Sequence, residues 1–409
     1  MKILFYNHTG QVSGAERMLL LILSRLDRDR FSALVVCPDQ GPLQEMIKDL
    51  GVASESINGL QARFTWRVDT LVRYCKSFFE VIRQLRRSVV ASRPDLLHAN
   101  SIRSGLVATA ATIGLGTPVV WHLHDLLPRH PLSSAIRVLA AVSKRTRMIA
   151  VSQAVATNFR GRFAPLLKDR VSVILNSIDL EKFQPDETAK RKIRGGLRFR
   201  KSDLAIGIVG QITPRKGQLE LLRAFSETLT DAPNSVLLIV GAPMFNRDDE
   251  YLELLKRTSA ELGIASKVRI LGARSDIGAL MQALDLLVVN SSAEPFGLVI
   301  LEAMACGTPV LATAVGGIPE IITHDENGWL VRAGDEQALT SAMAHLYPRS
   351  LLRERLAERA RHDVAARFSV DRYMTELQGF YSSGAKAYLK VVPKQSTALE
   401  SNSRQVEAA

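Results

Sequence analysis

Residues 286–320 read LLVVNSSAEPFGLVILEAMACGTPVLATAVGGIPE. The apolar run Leu286 to Asn290 predicts a buried strand. A polar loop follows, containing Glu294, Pro295 and Gly297. The segment after Gly297 has helical composition. Val310 to Ala312 predicts the next strand, and Gly316-Gly317 a second glycine loop. Continuous apolar strands separated by a helix belong to a parallel sheet covered on both faces.

The same pattern extends outward. Leu204 to Val209 ends at Gly210, Val236 to Val240 at Gly241, and Val268 to Leu271 at Gly272; Gly328 to Val331 completes the set. The first half repeats the scheme. Ile3 to Tyr6 predicts a strand, His8 to Gly14 a loop, and Ala15 to Leu26 a helix. Further strands are expected at Leu34 to Cys37, Asp95 to Ala99, Pro118 to Leu123, Met148 to Ser152 and Val171 to Leu175. The apolar stretch Gly105 to Leu123 is broken by Gly114, Gly116 and Pro118, so it reads as helix, loop and buried strand.

This gives an α/β chain of two Rossmann-like, doubly wound domains, 1–180 and 203–365. A basic linker region with a short helix, 181–202, separates them; a terminal helix, 366–390, and a polar tail, 391–409, expected to be disordered, follow. The last helical pattern is densest from Val370 to Tyr381. Ligands of open α/β sheets bind outside the carboxyl ends of the strands. Two such domains therefore predict a ligand cleft between facing rims.

The 409 residues fit two domains of ordinary size. Net charge is +12, which points to an anionic partner: a phosphorylated substrate, a membrane surface or nucleic acid. The three cysteines, Cys37, Cys75 and Cys306, form no close pair, so neither a disulfide framework nor a zinc site is expected. The N-terminal apolar run is too short for a signal peptide, and no stretch approaches the ~20 apolar residues of a spanning helix. A cytoplasmic protein is expected, peripheral at the inner face of the membrane if it meets one. No zinc-finger spacing or recognisable nucleic-acid motif accompanies the charge, so a non-enzymatic nucleic-acid-binding protein is the minor alternative.

Glu294 and Glu302 are eight apart, one in the loop and one in the helix. The helix start offers free N–H groups at Phe296, Gly297 and Leu298, a ready anion site. This stretch resembles the Glu-x7-Glu signature of family 4 of the glycosyltransferases, a retaining family with the two-domain GT-B fold, and EAMACGTPV with GGIPE resembles it further along. The resemblance implies an enzyme that transfers a sugar from a nucleoside-diphosphate sugar to a hydroxyl of a glycan or lipid-linked acceptor, in polysaccharide or glycolipid synthesis. Glu294 would hold the donor sugar hydroxyls and Glu302 the ribose, with the Phe296, Gly297 and Leu298 amides at sugar and phosphates. Another nucleotide-sugar enzyme of the same fold, such as an epimerase, is the alternative.

Gly210-Gln-Ile-Thr-Pro-Arg-Lys-Gly217 is similar to the family's phosphate loop. Lys216 and Gly217 match; the usual arginine is Gln211, with Arg215 in position to substitute. Cations here would neutralise the leaving diphosphate. His8-Thr-Gly-Gln-Val-Ser-Gly-Ala-Glu16 resembles the family's Gly-Gly-Ala-Glu loop: Gly14, Ala15 and Glu16 match, and Ser13 replaces a glycine. Trp121-His-Leu-His-Asp125 occupies the place of the family's acceptor-side histidine, which His124 matches better than His122. No metal or other cofactor is expected; Asp248-Asp249 is not a convincing ligand set.

The segment Leu60 to Pro94 carries Arg63, Arg67, Arg73, Lys76, Arg83, Arg86, Arg87 and Arg93 against Asp69 and Glu80. At helical spacing Leu71, Cys75, Phe78, Ile82, Leu85 and Val89 form an apolar stripe, and Val72, Phe79 and Val90 fall among the cations. That mixture predicts contact with an anionic membrane. A basic helix facing water or a soluble anionic acceptor is the alternative.

Overall fold

The structure is a computed structural model that describes residues 1–60, 68–244 and 247–387. The chain divides into two compact units, Met1–Asn176 with the segment from Asp371, and Ser177–Val370.

In the first unit the strands are β1 (Lys2–Tyr6), β2 (Ser32–Cys37), β3 (Ala53–Ser56), β4 (Leu96–Ala99), β5 (Val119–Leu123), β6 (Thr146–Ala150) and β7 (Val171–Val173). The helices are α1 (Gly14–Arg25), α2 (Leu43–Asp49), α3 (Val68–Ser92), α4 (Ile102–Ala111), α5 (Pro131–Val142), α6 (Gln153–Arg160) and α7 (Ala164–Leu167). The strands run β3-β2-β1-β4-β5-β6-β7, every neighbour parallel.

The second unit holds β8 (Leu204–Val209), β9 (Ser235–Val240), β10 (Val268–Gly272), β11 (Leu286–Val289), β12 (Val310–Thr313) and β13 (Trp329–Val331). Its helices are α8 (Glu187–Gly196), α9 (Gln218–Thr228), α10 (Arg247–Glu261), α11 (Ile277–Ala283), α12 (Leu298–Ala305), α13 (Glu336–Leu346) and α14 (Ser350–Arg367). The order is β10-β9-β8-β11-β12-β13, again parallel throughout. The last helix, α15 (Val370–Ala387), belongs to the first unit from Asp371 onward.

Two doubly wound α/β units are therefore borne out. The central strands are apolar on both faces; β4, β5, β9, β11 and β12 are buried along their whole length. Helix starts carry side-chain caps. Ser101, Ser152, Asp186 and Asp335 each accept a backbone N–H of the first turn that would otherwise lack a partner.

Three features differ from the sequence reading. Strand β3, Ala-Ser-Glu-Ser, was not expected: it is an edge strand paired only with β2, so it needs no apolar face. The basic stretch contains the short helix expected there, α8, but that helix is tied into the second unit rather than forming part of a linker. Arg194 donates to the Ala283 carbonyl at 2.9 Å and pairs with Asp285 at 3.0 Å. The terminal helix is not an appendage, because Tyr373, Leu377 and Tyr381 on it are wholly buried. The tail 391–409 and the Arg63 and Arg67 positions lie outside the described residues.

Arginines close many helix C-termini. Arg86 donates to the carbonyls of Ala111 and Ile113, at the end of α4. Arg170 does the same for α5 through Ala140 and Ser143, and Arg137 for α6 through Asn158 and Phe159. Arg353 caps α13 through Leu346 and Tyr347. The last carbonyls of a helix lack intrahelical partners and carry the negative end of its dipole, so a guanidinium satisfies both needs. Hydrogen bonds to charged groups contribute ~1.5–3 kcal/mol. We expect Arg86→Ala to lower stability in urea by about that amount, and exposed Arg87→Ala to change it by less than about 0.5 kcal/mol. Equal effects would remove the capping role.

Candidate functional site

Strand order reverses between β8 and β11 in the second unit and between β1 and β4 in the first. At such a reversal the connections leave on opposite faces, so the carboxyl ends of the two central strands open into a crevice. The expected motifs after β1, β8 and β11 fall at these two places; the Trp121–Asp125 motif ends β5, one strand farther on.

In the second unit the loop after β8 locks onto the loop after β11. Ser292 N donates to the Arg215 carbonyl at 2.9 Å, Arg215 Nη1 to the Ala293 carbonyl at 2.8 Å, and Asn290 Nδ2 to the Gly217 carbonyl at 3.1 Å. Gly217 has φ 70°, and a Cβ there would lie 2.1 Å from the Asn290 carbonyl oxygen. No other residue fits this junction without moving the loop. Gly210, with φ 147°, ends β8 and donates to Val240.

The junction brings Lys216 to Glu294. Lys216 Nζ lies 2.5 Å from Glu294 Oε2, with 14% and 11% of the two side chains exposed. Ser291 Oγ donates to the same oxygen at 3.2 Å. Ser291 is fully buried, and its carbonyl accepts Thr313 Oγ1 at 2.6 Å. The main chain of Glu294 is clamped as well: Gly317 N donates to its carbonyl at 3.0 Å, and a Cβ on Gly316 would meet that oxygen at 1.8 Å. Thus Oε2 is engaged twice, while Oε1 accepts from no described residue.

Arg215 is exposed and spends one amine on Ala293. Gln211, at the position of the family's arginine, donates to Asp248 Oδ2 at 2.8 Å. Asp248 is therefore a partner of Gln211. Helix α12 begins at Leu298 with Gly297 as its N-cap, φ 111°. The first-turn N–H groups are those of Leu298 and Val299, one to two residues later than expected. Phe296 offers a ligand only its backbone: the ring is buried, edge-on to Phe368 at 6.0 Å. Glu302 lies in the second turn of α12 and is 7% exposed.

In the first unit Glu16 locks the loop after β1. It accepts Ser13 N at 3.0 Å, Ser13 Oγ at 2.6 Å and Asn7 Nδ2 at 3.2 Å. Asn100, from the end of β4, donates to Asn7 Oδ1 at 3.1 Å. Gly14 is the exposed first residue of α1. His8, not singled out in the sequence, meets the Ser101 and Ser104 hydroxyls at 3.1 and 3.4 Å. Burial, then Arg103 nearby, lowers its pKa to about 4.

His124 follows β5 and stacks on His122, ring centroids 4.0 Å apart. His122 meets His98 of β4 edge-on at 5.2 Å, and His98 Nδ1 is 2.8 Å from the Tyr381 hydroxyl. Burial lowers the pKa of His98 and of His124 to about 3 and that of His122 well below its usual value. His98 and Tyr381 matter through each other, far apart in the chain, whereas Ser291 acts on Glu294 three residues on.

The fold and the two crevices define a glycosyltransferase of the GT-B class. The family models Glycosyltransferase Family 4 and Glycosyl transferases group 1 match residues 12–182 and 189–363, and the chain belongs to that family. A D-inositol 3-phosphate glycosyltransferase of Stackebrandtia nassauensis is 32% identical over 320 residues, 74% of this chain and 71% of the relative. The Escherichia coli UDP-Gal:alpha-D-GlcNAc-diphosphoundecaprenol alpha-1,3-galactosyltransferase is 23% identical over 90% of this chain and 94% of its own. The crystal structure of Anabaena HepE in complex with UDP and glucose superposes with a TM-score of 0.80 and 29% identity, over 94% of this chain and 100% of that one. The expectation of a glycosyltransferase is borne out at the level of the family.

The buried histidines have a consequence for stability. Above pH 6.5, the ordinary histidine value, they are neutral in both states. Below it the unfolded chain takes up protons that the fold refuses, so stability falls as pH drops from 6.5 toward 3. At pH 5 one such histidine costs about 2 kcal/mol. The melting temperature should drop from pH 7 to pH 5, and His122→Phe, which deletes one titrating ring, should give a shallower drop. An identical slope in the variant contradicts this.

Proposed function

We propose that this enzyme transfers a sugar from a nucleoside-diphosphate sugar to a hydroxyl of a glycan or lipid-linked acceptor, with retention of anomeric configuration. The observation that carries this reading is the Lys216–Glu294 pair at the β8/β11 crevice. Glu294 has one carboxylate oxygen engaged and the other left for sugar hydroxyls. Lys216, already in place, offers its remaining ammonium protons to the diphosphate. The Leu298 and Val299 amides head α12 beside Gly297, where an anion is favoured. Glu302 takes the ribose, and Arg215 adds an exposed second cation.

The bond between the anomeric carbon and the diphosphate oxygen breaks as the acceptor oxygen bonds to the same face. The diphosphate leaves with the electron pair, and the acceptor proton passes to it. Positive charge at Lys216 stabilises the leaving group as its negative charge grows. His124 is the proposed contact for the acceptor hydroxyl or the donor sugar. The HepE complexes with UDP and UDP-glucose support a uridine diphosphate sugar as donor. The diphosphoundecaprenol in the name of the E. coli relative supports a lipid-linked acceptor.

The enzyme is proposed to work at the inner face of an anionic membrane, held by α3. Among the described residues no helix is long and apolar enough to cross a membrane. The inward face of α3 is Val81, Leu85, Ser88 and Val89. Phe78 and Ile82 of the expected apolar stripe are half-buried and Cys75 is exposed. On the outer face Phe79 and Val90 are 64% and 54% exposed beside Lys76, Arg83 and Arg87. Arg86 caps α4, so it is withdrawn from that face.

Calorimetry with UDP and transfer assays with UDP-sugars test the site. Glu294→Gln should cut transfer about a hundredfold or more and keep UDP affinity within a few-fold. Lys216→Ala should weaken UDP binding more than Arg215→Ala does. Near-normal turnover of Glu294→Gln would sink the assignment of the pair. For the membrane, the protein should sediment with vesicles rich in anionic lipid, poorly with neutral ones, and lose that binding when Lys76, Arg83 and Arg87 become Ser. Equal recovery in the supernatant with both vesicle types rejects attachment and leaves sugar transfer standing.

A further inference from the structure

Every exposed residue of α5 is apolar: Pro131, Leu132, Ala135, Val138 and Val142. Leu132, Val138 and Val142 are 49%, 45% and 65% exposed. At helical spacing Leu132, Ala135, Val138 and Val142 form one stripe. The opposite side, Ser133, Ile136 and Ala140, is buried. A helix on the surface ordinarily turns charged residues outward. Helix α14 does so, with Glu354, Arg355, Glu358, Arg359 and Arg361 exposed. Water alone therefore does not account for the outer stripe of α5.

Neighbours extend the stripe. Arg162 Nη2 donates to Ser134 Oγ at 3.0 Å, which ties the turn before α7 to α5, and Leu166 of α7 is 64% exposed. Strands β4, β5 and β6 follow one another across the sheet, so right-handed crossovers set α4 and α5 on the same face. Helix α3 packs against α4. Arg86 of α3 holds the carbonyl of Ile113, whose side chain is 68% exposed, and Arg145, just after α5, holds that of Gly116. The charge is one-sided. From Leu126 to Lys168 the sequence has no Asp or Glu, while Arg129, Lys144, Arg145, Arg162 and Lys168 are exposed.

We propose that α5 is a membrane-contact helix, setting Leu132, Val138 and Val142, with Leu166 of α7, at the acyl boundary of an anionic leaflet. The surrounding cations meet the headgroups. An anionic lipid surface takes up apolar side chains and cations together. A second copy of the chain fits less well, because two such faces would set cations against cations. The inference rests on the membrane reading of the enzyme but not on α3: that helix brings mainly cations, and α5 brings the apolar contact. His124 lies on the chain between β5 and α5, so a docked α5 draws that position toward the headgroups, where the hydroxyls of a lipid-linked acceptor lie.

A fluorescent label that brightens in apolar surroundings tests this on the full-length protein. Cys75 is the exposed cysteine, so the label goes on Val142→Cys in a Cys75→Ser background, with exposed Leu351→Cys of the second unit as control. With vesicles of phosphatidylglycerol and phosphatidylcholine, the label at 142 should shift to the blue and brighten severalfold, and the label at 351 should not change. Leu132→Ser, Val138→Ser and Val142→Ser together should weaken sedimentation with these vesicles about tenfold or more, at an unchanged melting temperature. A water-like label at 142 on protein that sediments overturns the proposal and leaves α3 as the attachment. So does a response at 351 equal to that at 142, or a triple variant that sediments like the wild type. A wild-type dimer that the triple variant abolishes gives the stripe to a second copy instead. Failure of α3 alone looks different: Lys76, Arg83 and Arg87 become Ser, yet the protein sediments and the label at 142 still responds. Wild type left in the supernatant rejects both.

Discussion

The reversal of strand order at the centre of each parallel sheet is the constraint from which the rest follows. A parallel sheet is covered on both faces, so no ligand reaches its middle from above or below. Only where successive connections part to opposite faces does a gap open at the strand ends. In the second unit that gap lies between β8 and β11. The Gly217 and Arg215 carbonyls, the Asn290 amide and the Arg215 guanidinium then join the two loops, and Lys216 and Glu294 are brought together as a result. The glycines at 217 and 316 are required because carbonyl oxygens approach within about two ångströms of where a side chain would begin.

Both units hold buried polar groups that a stability argument alone would discourage. A carboxylate and an ammonium sheltered from water lose hydration, which their mutual attraction only partly offsets. The histidine stack of the first unit adds to this cost, since four of its ring nitrogens lack a hydrogen-bond partner among the described residues. Each feature lies at the carboxyl ends of strands beside the reversal of its own sheet. Local cost concentrated at such places is consistent with the proposed sites.

Net charge turned out to be a coarse guide. The excess of 53 basic over 41 acidic residues suggests an anionic partner. Yet Arg86, Arg137, Arg170, Arg194 and Arg353 point into the protein at carbonyls that end helices. These guanidiniums serve the fold. What remains for a partner is a smaller set, such as Lys76, Arg83 and Arg87 on the outer face of α3.

The chain alone determined the class of fold. Its apolar strands, the glycines that close them and the helical spacing between them reflect local steric and hydrophobic demands, which are written residue by residue. The edge strand β3 escaped because an edge needs no apolar pattern. The loop and helix from Glu294 to Glu302 were equally legible, since turn, helix start and carboxylates fall within nine residues. Tertiary structure decided which oxygen of Glu294 is engaged, that Gln211 is held by Asp248, and that Arg86 faces a helix end. It also brought Tyr381 to His98, 283 residues apart. Such partners are set by where the sheets and helices pack, and pattern along the chain carries no record of a distance across the fold.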